Sequence, residues 1–254
     1  MNLLVLAGTE DGRCLASELE SHGHQVWVST LTEYGAQIAE AQGLHTRHGA
    51  LDEAGLFNLF EQNSITGLID ATHPYAEKIH ELARRVSKEA EIPYFRWERP
   101  KISSEDSPLI HWAAGLEEAG KLACHLGQRI FLSTGSKNLK DWLEVQGFKK
   151  REIFVRVLPK AEVLRQCEAL GFKPYQIIAA QGPFSQRFNE ALWEQLKIDV
   201  VITKESGQVG GTEEKIKACL KLEIPIIVLE RPQSEKLEPV ETIEEFLQRV
   251  EEFK

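Results

Sequence analysis

Short apolar runs alternate along the chain with segments in which apolar residues recur every three or four positions. The runs are rich in Val, Ile and Leu, as strands buried on both faces are. The predicted strands are Leu3–Leu6, Gln25–Ser29, Leu44–Arg47, Gly67–Ala71, Tyr94–Trp97, Arg129–Ser133, Ile153–Val157, Gln176–Ala180, Asp199–Thr203 and Ile226–Leu229. The predicted helices are Cys14–Leu19, Glu53–Gln62, Tyr75–Lys88, Leu116–Leu126, Ala161–Leu170, Asn189–Gln195 and Glu213–Leu222. This alternation predicts an α/β fold with mainly parallel sheets flanked by helices.

The chain contains an internal repeat. Ile65–Pro100 and Lys197–Pro232 align without a gap, and the two segments end in EIPYFRWERP and EIPIIVLERP. Each begins with a strand-like run and passes through a helical pattern. The repeat favours two lobes of related plan, and lobes of this kind often bind a ligand in the cleft between them.

The boundary between the lobes is predicted within Pro100–Pro108, because this segment is polar and bounded by prolines. Residues 1–104 would form an N-terminal lobe that binds a dinucleotide. Residues 105–254 would form a C-terminal α/β lobe that binds substrate. The alternative is a loop inside a single domain.

The bulk composition excludes several classes of function. The chain has 254 residues and a formal net charge of −9, so no general attraction to nucleic acid or anionic lipid is expected. Its cysteines form no Cys-x-x-Cys pair, and neither a zinc site nor a redox motif is indicated. The first residues have no basic segment of a signal peptide, and no apolar stretch reaches the length of a membrane span. We therefore expect a cytoplasmic protein that needs a local basic patch to hold any anionic substrate.

The first strand runs into the turn Gly8-Thr9-Glu10-Asp11-Gly12-Arg13, which opens a helix. Backbone N–H groups and the helix dipole attract a phosphate at such a point. Gly8 can adopt unusual backbone angles and Gly12 allows a ligand to come close. Without the full Gly-x-Gly-x-x-Gly pattern, an ordinary turn capped by Asp11 is an equal alternative.

The second strand ends at Ser29 and Thr30. NAD-binding sheets usually place an acidic residue there to hold the ribose hydroxyls. Hydroxyl side chains could bind a 2′-phosphate instead, which favours NADPH, with NADH still possible because Glu33 is a competing acidic candidate.

The fourth predicted strand is followed by Thr72-His73-Pro74-Tyr75. Pro74 disfavours helical geometry at His73 and directs it towards the crevice at the strand ends. His73 could be a proton donor or a ligand contact. The alternative is that Thr72 or His73 caps the next helix.

In the second half, a Gly-Ser nest and a cation follow a strand at Gly135, Ser136 and Lys137, a combination suited to a carboxylate or phosphate. Cations at or near predicted strand ends are Lys137, Arg156, Arg187 and Lys204. Each alone would be a solvated surface charge, whereas their shared location favours an anion site. The sequence has no serine-nucleophile elbow and no His-Glu-x-x-His motif, which suits chemistry supplied by a cofactor and no metal site.

Taken in order, the loops resemble the precorrin-6A reductase family, which includes the cobalt-precorrin-6A reductases of cobalamin biosynthesis. The segments that carry the resemblance are AGTEDGR, TEYG, DATHPYA, ERP, STGSKNL, RVLP, AAQGPFS, TKESG with GGTEEK, and IPIIVLERP. They extend over nearly the whole chain. Gln208 and Val209 depart from the family pattern, because they separate Gly207 from Gly210.

The resemblance implies two Rossmann-like lobes with the active site in the cleft between them. It implies an NADPH-dependent reductase that saturates one double bond of precorrin-6A or cobalt-precorrin-6A, a polycarboxylate tetrapyrrole. The residues it places at the dinucleotide are Gly8, Thr9, Gly12, Arg13, Ser29, Thr30, Tyr34 and Gly35. The residues it places at the macrocycle are His73, Tyr75, Ser136, Lys137, Gln181, Lys204 and Ser206, with His73 and Tyr75 as candidates for catalysis.

Two other functions remain open at this level: a non-catalytic nucleotide sensor and a reductase of a smaller carboxylic acid. The residues do not identify the proton donor or decide whether cobalt is in the ring. They are compatible with a monomer or a weak oligomer.

Overall fold

The computed structural model describes residues 1–98, 106–207, 210–232, 240 and 242–253. The chain divides into two compact units, Met1–Pro100 with Pro232–Lys254, and Lys101–Arg231. Most of the predicted boundary segment, and the Gln208–Val209 insertion, lie outside the described residues. Each unit is an α/β sandwich with its own parallel sheet.

The first unit contains one sheet of five parallel strands in its described part, with the order β3-β2-β1-β4-β5. Its elements are β1 Asn2–Ala7, α1 Glu10–Ser21, β2 Gln25–Thr30, α2 Glu33–Glu40, β3 His45–His48, α3 Glu53–Gln62, β4 Gly67–Ala71, α4 Glu77–Glu89 and β5 Tyr94–Arg96. The central strands β1 and β4 are almost entirely buried on both faces, which explains their unbroken apolar runs.

The second unit contains a parallel sheet of six strands in the order β6-β11-β10-β7-β8-β9, counted over its described residues. Its elements are β6 Ile110–Ala113, α5 Leu116–Leu126, β7 Arg129–Ser133, α6 Leu139–Glu144, β8 Glu152–Val157, α7 Ala161–Ala169, β9 Ile177–Ala179, α8 Gln186–Leu196, β10 Val200–Lys204, α9 Thr212–Lys221 and β11 Ile226–Leu229.

The two sheets share one plan. Read from β9 through β8, β7, β10 and β11, the second sheet has the same connectivity as β3-β2-β1-β4-β5 in the first. The repeated segments correspond to β4-α4-β5 and β10-α9-β11. Each therefore contributes the strand that follows the reversal of strand order, beside β1 in one unit and β7 in the other. In open α/β sheets this reversal is where ligands bind.

The last helix differs from the predicted division. Helix α10, Ile243–Glu251, belongs to the unit that begins at Met1, whereas the sequence analysis assigned all of 105–254 to the C-terminal lobe. Its buried Phe246 and Val250 join the core formed by β1, β2, β4 and β5. The ring of Phe246 packs edge-on against Phe95 and Trp97, with centroids 5.9 and 5.7 Å apart. Beyond β5, Val240 forms a parallel bridge with Trp97.

Every predicted strand and helix is present, with ends that shift by a few residues. Besides two 3-10 helices of three residues each, the described part of the chain adds four elements that the periodicity analysis did not include: β6, α2, α6 and α10. Three of these are helices of nine residues or fewer, and β6 is the edge strand of its sheet. Such short helices place only a few apolar residues on the buried face, so their pattern is easily missed in the sequence.

Candidate functional site

The glycine turn, Gly8–Thr9, lies where the strand order of the first sheet reverses. The register pairs Ala7 of β1 with Ala71 of β4, so this turn and the loop after β4 leave the same edge of the sheet. Thr9 is the N-cap of α1 in extended geometry, but its side chain accepts no capping hydrogen bond. The first turn of α1 thus keeps backbone N–H groups that no capping side chain satisfies. Asp11 lies inside the helix, in that first turn, and is not its N-cap.

Gly8 and Gly12 have different structural roles in this region. A Cβ on exposed Gly8 would meet nothing within 4 Å. A Cβ on buried Gly12 would lie 3.1 Å from that of Ala7 and 3.2 Å from that of Ala71. Gly12 therefore allows α1 to pack closely on β1 and β4, the role of the third glycine in dinucleotide-binding turns. Open space for a ligand exists at Gly8.

Arg13 follows directly, in the first two turns of α1. It is half-buried, and its Nε is enclosed without a hydrogen-bond partner in the described structure. A guanidinium whose Nε has no acceptor among the described residues, beside an uncapped helix N-terminus, is suited to a phosphate.

The end of β2 is built around Arg47, which sequence reasoning did not select. The Arg47 Nη1 donates to Ser29 Oγ at 3.1 Å and to the carbonyl of Gly49 at 2.9 Å. Its Nη2 donates to the carbonyl of His48 at 2.5 Å. A guanidinium has five N–H donors, so two remain for a ligand after these three bonds. A signal for Arg47 existed, because it ends a predicted strand that should lie beside the one ending at Ser29.

The other residues predicted at this strand end have mixed positions. Thr30 is buried, and its hydroxyl donates to the carbonyl of Thr32 at 2.9 Å. Gly35 packs against Thr30 and Thr32, and its N–H donates to the capping hydroxyl of Thr32. Tyr34 is largely exposed. Among these residues, Tyr34 is free to contact a bound molecule, whereas Thr30 and Gly35 shape the loop.

Asp70, the fully buried fourth residue of β4, organises the loop that carries His73. One carboxylate oxygen accepts from the Thr72 N–H at 3.0 Å, from its hydroxyl at 2.7 Å and from Arg96 at 2.9 Å. The other accepts from the Tyr94 hydroxyl at 2.8 Å. Burial, reinforced by the Asp70 charge, raises the pKa of Tyr94, so this phenol stays protonated and remains a donor.

His80 of α4 closes the same network, with its Nε2 at 2.9 Å from the Thr72 hydroxyl. Burial lowers the pKa of His80, and the negative charge of Asp70 opposes this shift. The neutral imidazole thus stabilises the base of the loop.

His73 and Tyr75 are both half-buried on this loop, with ring centroids 5.7 Å apart. The Tyr75 N–H lies 3.3 Å from His73 Nδ1. Neither Thr72 nor His73 caps α4, because its N-cap is Ala76 and no side chain makes the capping bond. The two candidate catalytic residues are therefore neighbours on a loop fixed by Asp70, beside the glycine turn.

The second unit has its strand-order reversal between β7 and β10. Thr203 of β10 pairs with Ser133 of β7, so the loops that begin at Thr134 and Glu205 leave the sheet side by side. Lys137 is exposed on the first loop, and Gly135 has positive φ and open space around it. Gln181 is exposed in the loop after β9.

The loop after β10 is tightly closed. The Thr212 hydroxyl donates to the Lys204 carbonyl at 3.1 Å and accepts from the Ser206 N–H at the same distance. Glu205 forms a buried ion pair with Arg231. Ser206 is buried, whereas Lys204 is half-exposed. Of the residues predicted here to contact substrate, Lys204 retains an accessible side chain and Ser206 contributes to loop structure.

The four predicted cations have very different environments. Lys137 and Arg187 are exposed, Lys204 is half-buried and Arg156 is buried. A further cation, Lys215 of α9, is buried close enough to Arg156 for their charges to interact. The sequence analysis did not select Lys215, because a lysine near the start of a helix is ordinarily exposed to solvent.

Within the described ranges, no group of three or more His, Cys, Asp or Glu side chains is placed to hold a metal ion. The helices of those same ranges include none with the length and apolarity needed to cross a bilayer.

Comparison with known proteins identifies the relatives of this chain. The family model described as precorrin-6x reductase CbiJ/CobK matches residues 2–251. The cobalt-precorrin-6A reductase of Salmonella typhimurium is 37% identical over 91% of this chain and 88% of its own length. That of Methanothermobacter thermautotrophicus is 38% identical over 92% of this chain and 77% of its own length.

The solved structure of CobK precorrin-6A reductase superimposes with a TM-score of 0.78 and 25% identity, over 100% of this chain and 97% of that one. The match extends the sequence similarity to the order of the sheets and loops described above. The chain therefore belongs to the precorrin-6x reductase CbiJ/CobK family, whose members are oxidoreductases of cobalamin biosynthesis that reduce a carbon–carbon double bond.

Proposed function

We propose that this protein reduces cobalt-precorrin-6A with NADPH as the electron donor. The observation that carries the choice of substrate is the identity of 37–38% to two relatives that are both named cobalt-precorrin-6A reductase. A relative of known structure, named precorrin-6A reductase, is 25% identical. Cobalt is part of the substrate in this proposal.

Arg47 supports NADPH over NADH. The phosphate that distinguishes the two cofactors sits on the adenosine ribose, which lies at the end of the second strand in dinucleotide-binding sheets. Here that strand end has the Ser29 hydroxyl and a guanidinium with two remaining N–H donors, and no acidic side chain ends β2 itself. Three hydrogen bonds fix the position of Arg47 before a ligand binds, so little side-chain entropy is lost on binding.

The glycine turn is the proposed binding site for the pyrophosphate of the same cofactor. Gly8 offers open space, the uncapped start of α1 offers N–H donors, and Arg13 adds a positive charge. Glu10 and Asp11 in the first turn weaken this attraction, which makes the Arg13 charge more important. When bound, the nicotinamide would supply hydride to the substrate.

His73 and Tyr75 are the proposed source of the proton that a reduction also requires. Both lie on the loop next to the glycine turn, and the buried Asp70 network holds the base of that loop. A fixed loop keeps an acid at constant distance from the reacting carbon, which favours proton transfer. On the substrate side, the exposed Lys137 and Gln181 and the half-exposed Lys204 would contact the peripheral carboxylates.

The direct test is stopped-flow absorbance with the purified protein, NADPH and either cobalt-precorrin-6A or metal-free precorrin-6A. We expect the nicotinamide band to decay with both, with a higher kcat/KM for the cobalt form. NADH at the same concentration should give a lower kcat/KM than NADPH.

Two results would contradict the proposal in different ways. A higher kcat/KM for metal-free precorrin-6A would reverse the choice of substrate within the same family reaction. Equal kcat/KM values for NADPH and NADH would remove the role of Arg47 in cofactor choice.

A further inference from the structure

The second unit contains a group of polar residues buried beneath its strand ends. This buried polar cluster consists of Ser133, Arg156, Asn189, Thr203 and Lys215, from β7, β8, α8, β10 and α9 respectively. Except for Ser133, all are at least nine-tenths buried. None of them belongs to the sites considered under the proposed function.

The sheet register brings three of these residues into one row. Thr203 pairs with Ser133, and Leu132 pairs with Val155, which places Arg156 beside Ser133. Thr203, Ser133 and Arg156 lie two residues after Val201, Phe131 and Phe154, respectively. These three apolar residues belong to one core together with Trp193 of α8 and Ile216 of α9. Since side chains alternate along a strand, the cluster continues that core on the same face, towards the carboxyl edge of the sheet.

Arg156 is 6% exposed, and its partners are neutral. It donates to Asn189 Oδ1 at 2.7 Å and to Ser133 Oγ at 2.9 Å, and its guanidinium stacks over the Phe184 ring at 4.4 Å. It forms no ion pair with any described residue. Burial lowers the pKa of Arg156 to about 10, so the side chain still carries its charge near neutral pH.

Lys215 is 8% exposed and likewise forms no ion pair with any described residue. Among the described atoms, its Nζ donates to one acceptor, the carbonyl of Gly210 at 3.1 Å. Burial and the charge of Arg156 lower the pKa of Lys215 to about 7, and Glu214 opposes this shift. Glu214 forms no ion pair with Lys215 in the described structure, and its Oε2 is itself buried without a hydrogen bond.

Two buried cations that repel each other are costly unless an anion compensates them. One more donor points to such an anion: the Thr203 hydroxyl, 1% exposed, has no hydrogen-bond partner in the described part of the chain. Even with the negative charge of Glu214 beside Lys215, the two cations leave one positive charge in excess, and the donors of the cluster are not fully used. This is the composition of an anion site and not of a self-sufficient polar core.

We propose that Arg156, Lys215 and Thr203 form a subsite that binds one peripheral carboxylate of the tetrapyrrole. This subsite rests on the proposed function, because it takes its ligand from the substrate. A carboxylate is favoured over a cofactor phosphate, because the first unit already supplies Gly8, Arg13 and Arg47 for phosphates. The subsite gives the second unit a charged anchor for the macrocycle.

The test compares Lys215→Met with Lys217→Met, a matched change of an exposed lysine on the same helix. Binding of cobalt-precorrin-6A is measured by absorbance titration without NADPH, and binding of NADP⁺ by calorimetry. Loss of one charge-assisted contact should raise the Kd of Lys215→Met for the tetrapyrrole about 10–100-fold. Its Kd for NADP⁺, and both constants of Lys217→Met, should remain within about twofold of wild type.

Thermal unfolding of the ligand-free variants supplies a second readout. Removal of an uncompensated buried charge should raise the Tm of Lys215→Met, whereas removal of a merely structural residue would lower it. An unchanged Kd for the tetrapyrrole, or a raised Kd for NADP⁺ alone, would overturn the subsite and leave the proposed function standing. Failure of the wild-type protein to bind the tetrapyrrole at all would overturn both.

Discussion

Arg47 was not selected from the sequence, although it ends a predicted strand. It spans from β3 to the end of β2, where three hydrogen bonds hold it in place. In Arg47→Met the charge is lost, so we expect the Kd for NADP⁺ to rise about 10–100-fold, as for loss of charge-assisted hydrogen bonds. The Kd for NAD⁺ should change much less, and calorimetry measures both. Arg85→Met, which removes an exposed arginine of α4 in the same unit, is the control. An equal rise in the Kd values for NAD⁺ and NADP⁺ would mean that Arg47 only stabilises the loop.

Substitutions of the two glycines near the start of α1 are expected to have opposite effects on stability and on NADP⁺ binding. Gly12→Val should crowd Ala7 and Ala71 and lower the unfolding free energy by about 1–3 kcal/mol, as overpacking does. Gly8→Val should leave stability nearly unchanged and weaken NADP⁺ binding, because the added side chain would occupy the open space at the turn. Urea unfolding and NADP⁺ titration of both variants measure the contrast. Similar losses of stability in the two variants would contradict it.

Because the pKa of Lys215 is lowered by burial, we expect the stability of the folded protein to depend on pH. This pKa is lowered to about 7 in the folded state from an ordinary 10.5. Below pH 7 the side chain is charged in both states, so the full cost of burial is present. Between these pKa values the unfolded chain binds the extra proton, and stability contributed by this group therefore rises with pH. Lys215→Met should exceed wild type in Tm at pH 6, and the excess should shrink at pH 9. A pH-independent difference would contradict this assignment.

At the scale of elements, the β4 strand and the loop after it depend on one buried carboxylate. Asp70 accepts bonds from Thr72, Tyr94 and Arg96. Asp70→Asn removes the charge opposite a buried guanidinium, which typically costs about 3–5 kcal/mol. Urea unfolding measures the loss. Glu53→Gln breaks the exposed pair with Arg85 and serves as control, with an expected loss of about 0–1 kcal/mol. Equal losses would mean that the Asp70 network does not stabilise the fold.

Elements with strong patterns were predictable, and the environments of single side chains were not. Strands such as β1 and β11 were found because both faces are buried and nearly every position is apolar. Helix α2 was missed because it has only eight residues and a glycine at its third position. The positions of Gly8 and His73 at strand ends followed from topology rules. The burial of Lys215 did not, because it depends on how α9 packs against α8 and β10, elements whose positions relative to α9 are set by the tertiary fold.

At the scale of the whole molecule, the first unit is assembled from both ends of the described chain. Phe246 of α10 is fully buried against Phe95 and Trp97. Phe246→Ala should cost about 3–5 kcal/mol. Limited proteolysis with mass spectrometry should then show new cleavages within residues 1–98, while fragments from 106–231 persist. Phe253 provides the matched control: its ring also meets Phe95 edge-on, but it is 59% exposed, so Phe253→Ala removes much less buried surface. Equal cleavage in both units would show that they unfold together.

The route of the chain has a consequence for biosynthesis on the ribosome. Residues 101–231 form one continuous unit, so they are available to fold as soon as they have emerged. The glycine turn emerges before that unit, yet the sheet that carries it lacks its covering helix until residues 243–251 have left the exit tunnel. Phe95 and Trp97 therefore stay without their contact to Phe246 until the whole of the second unit has been synthesised.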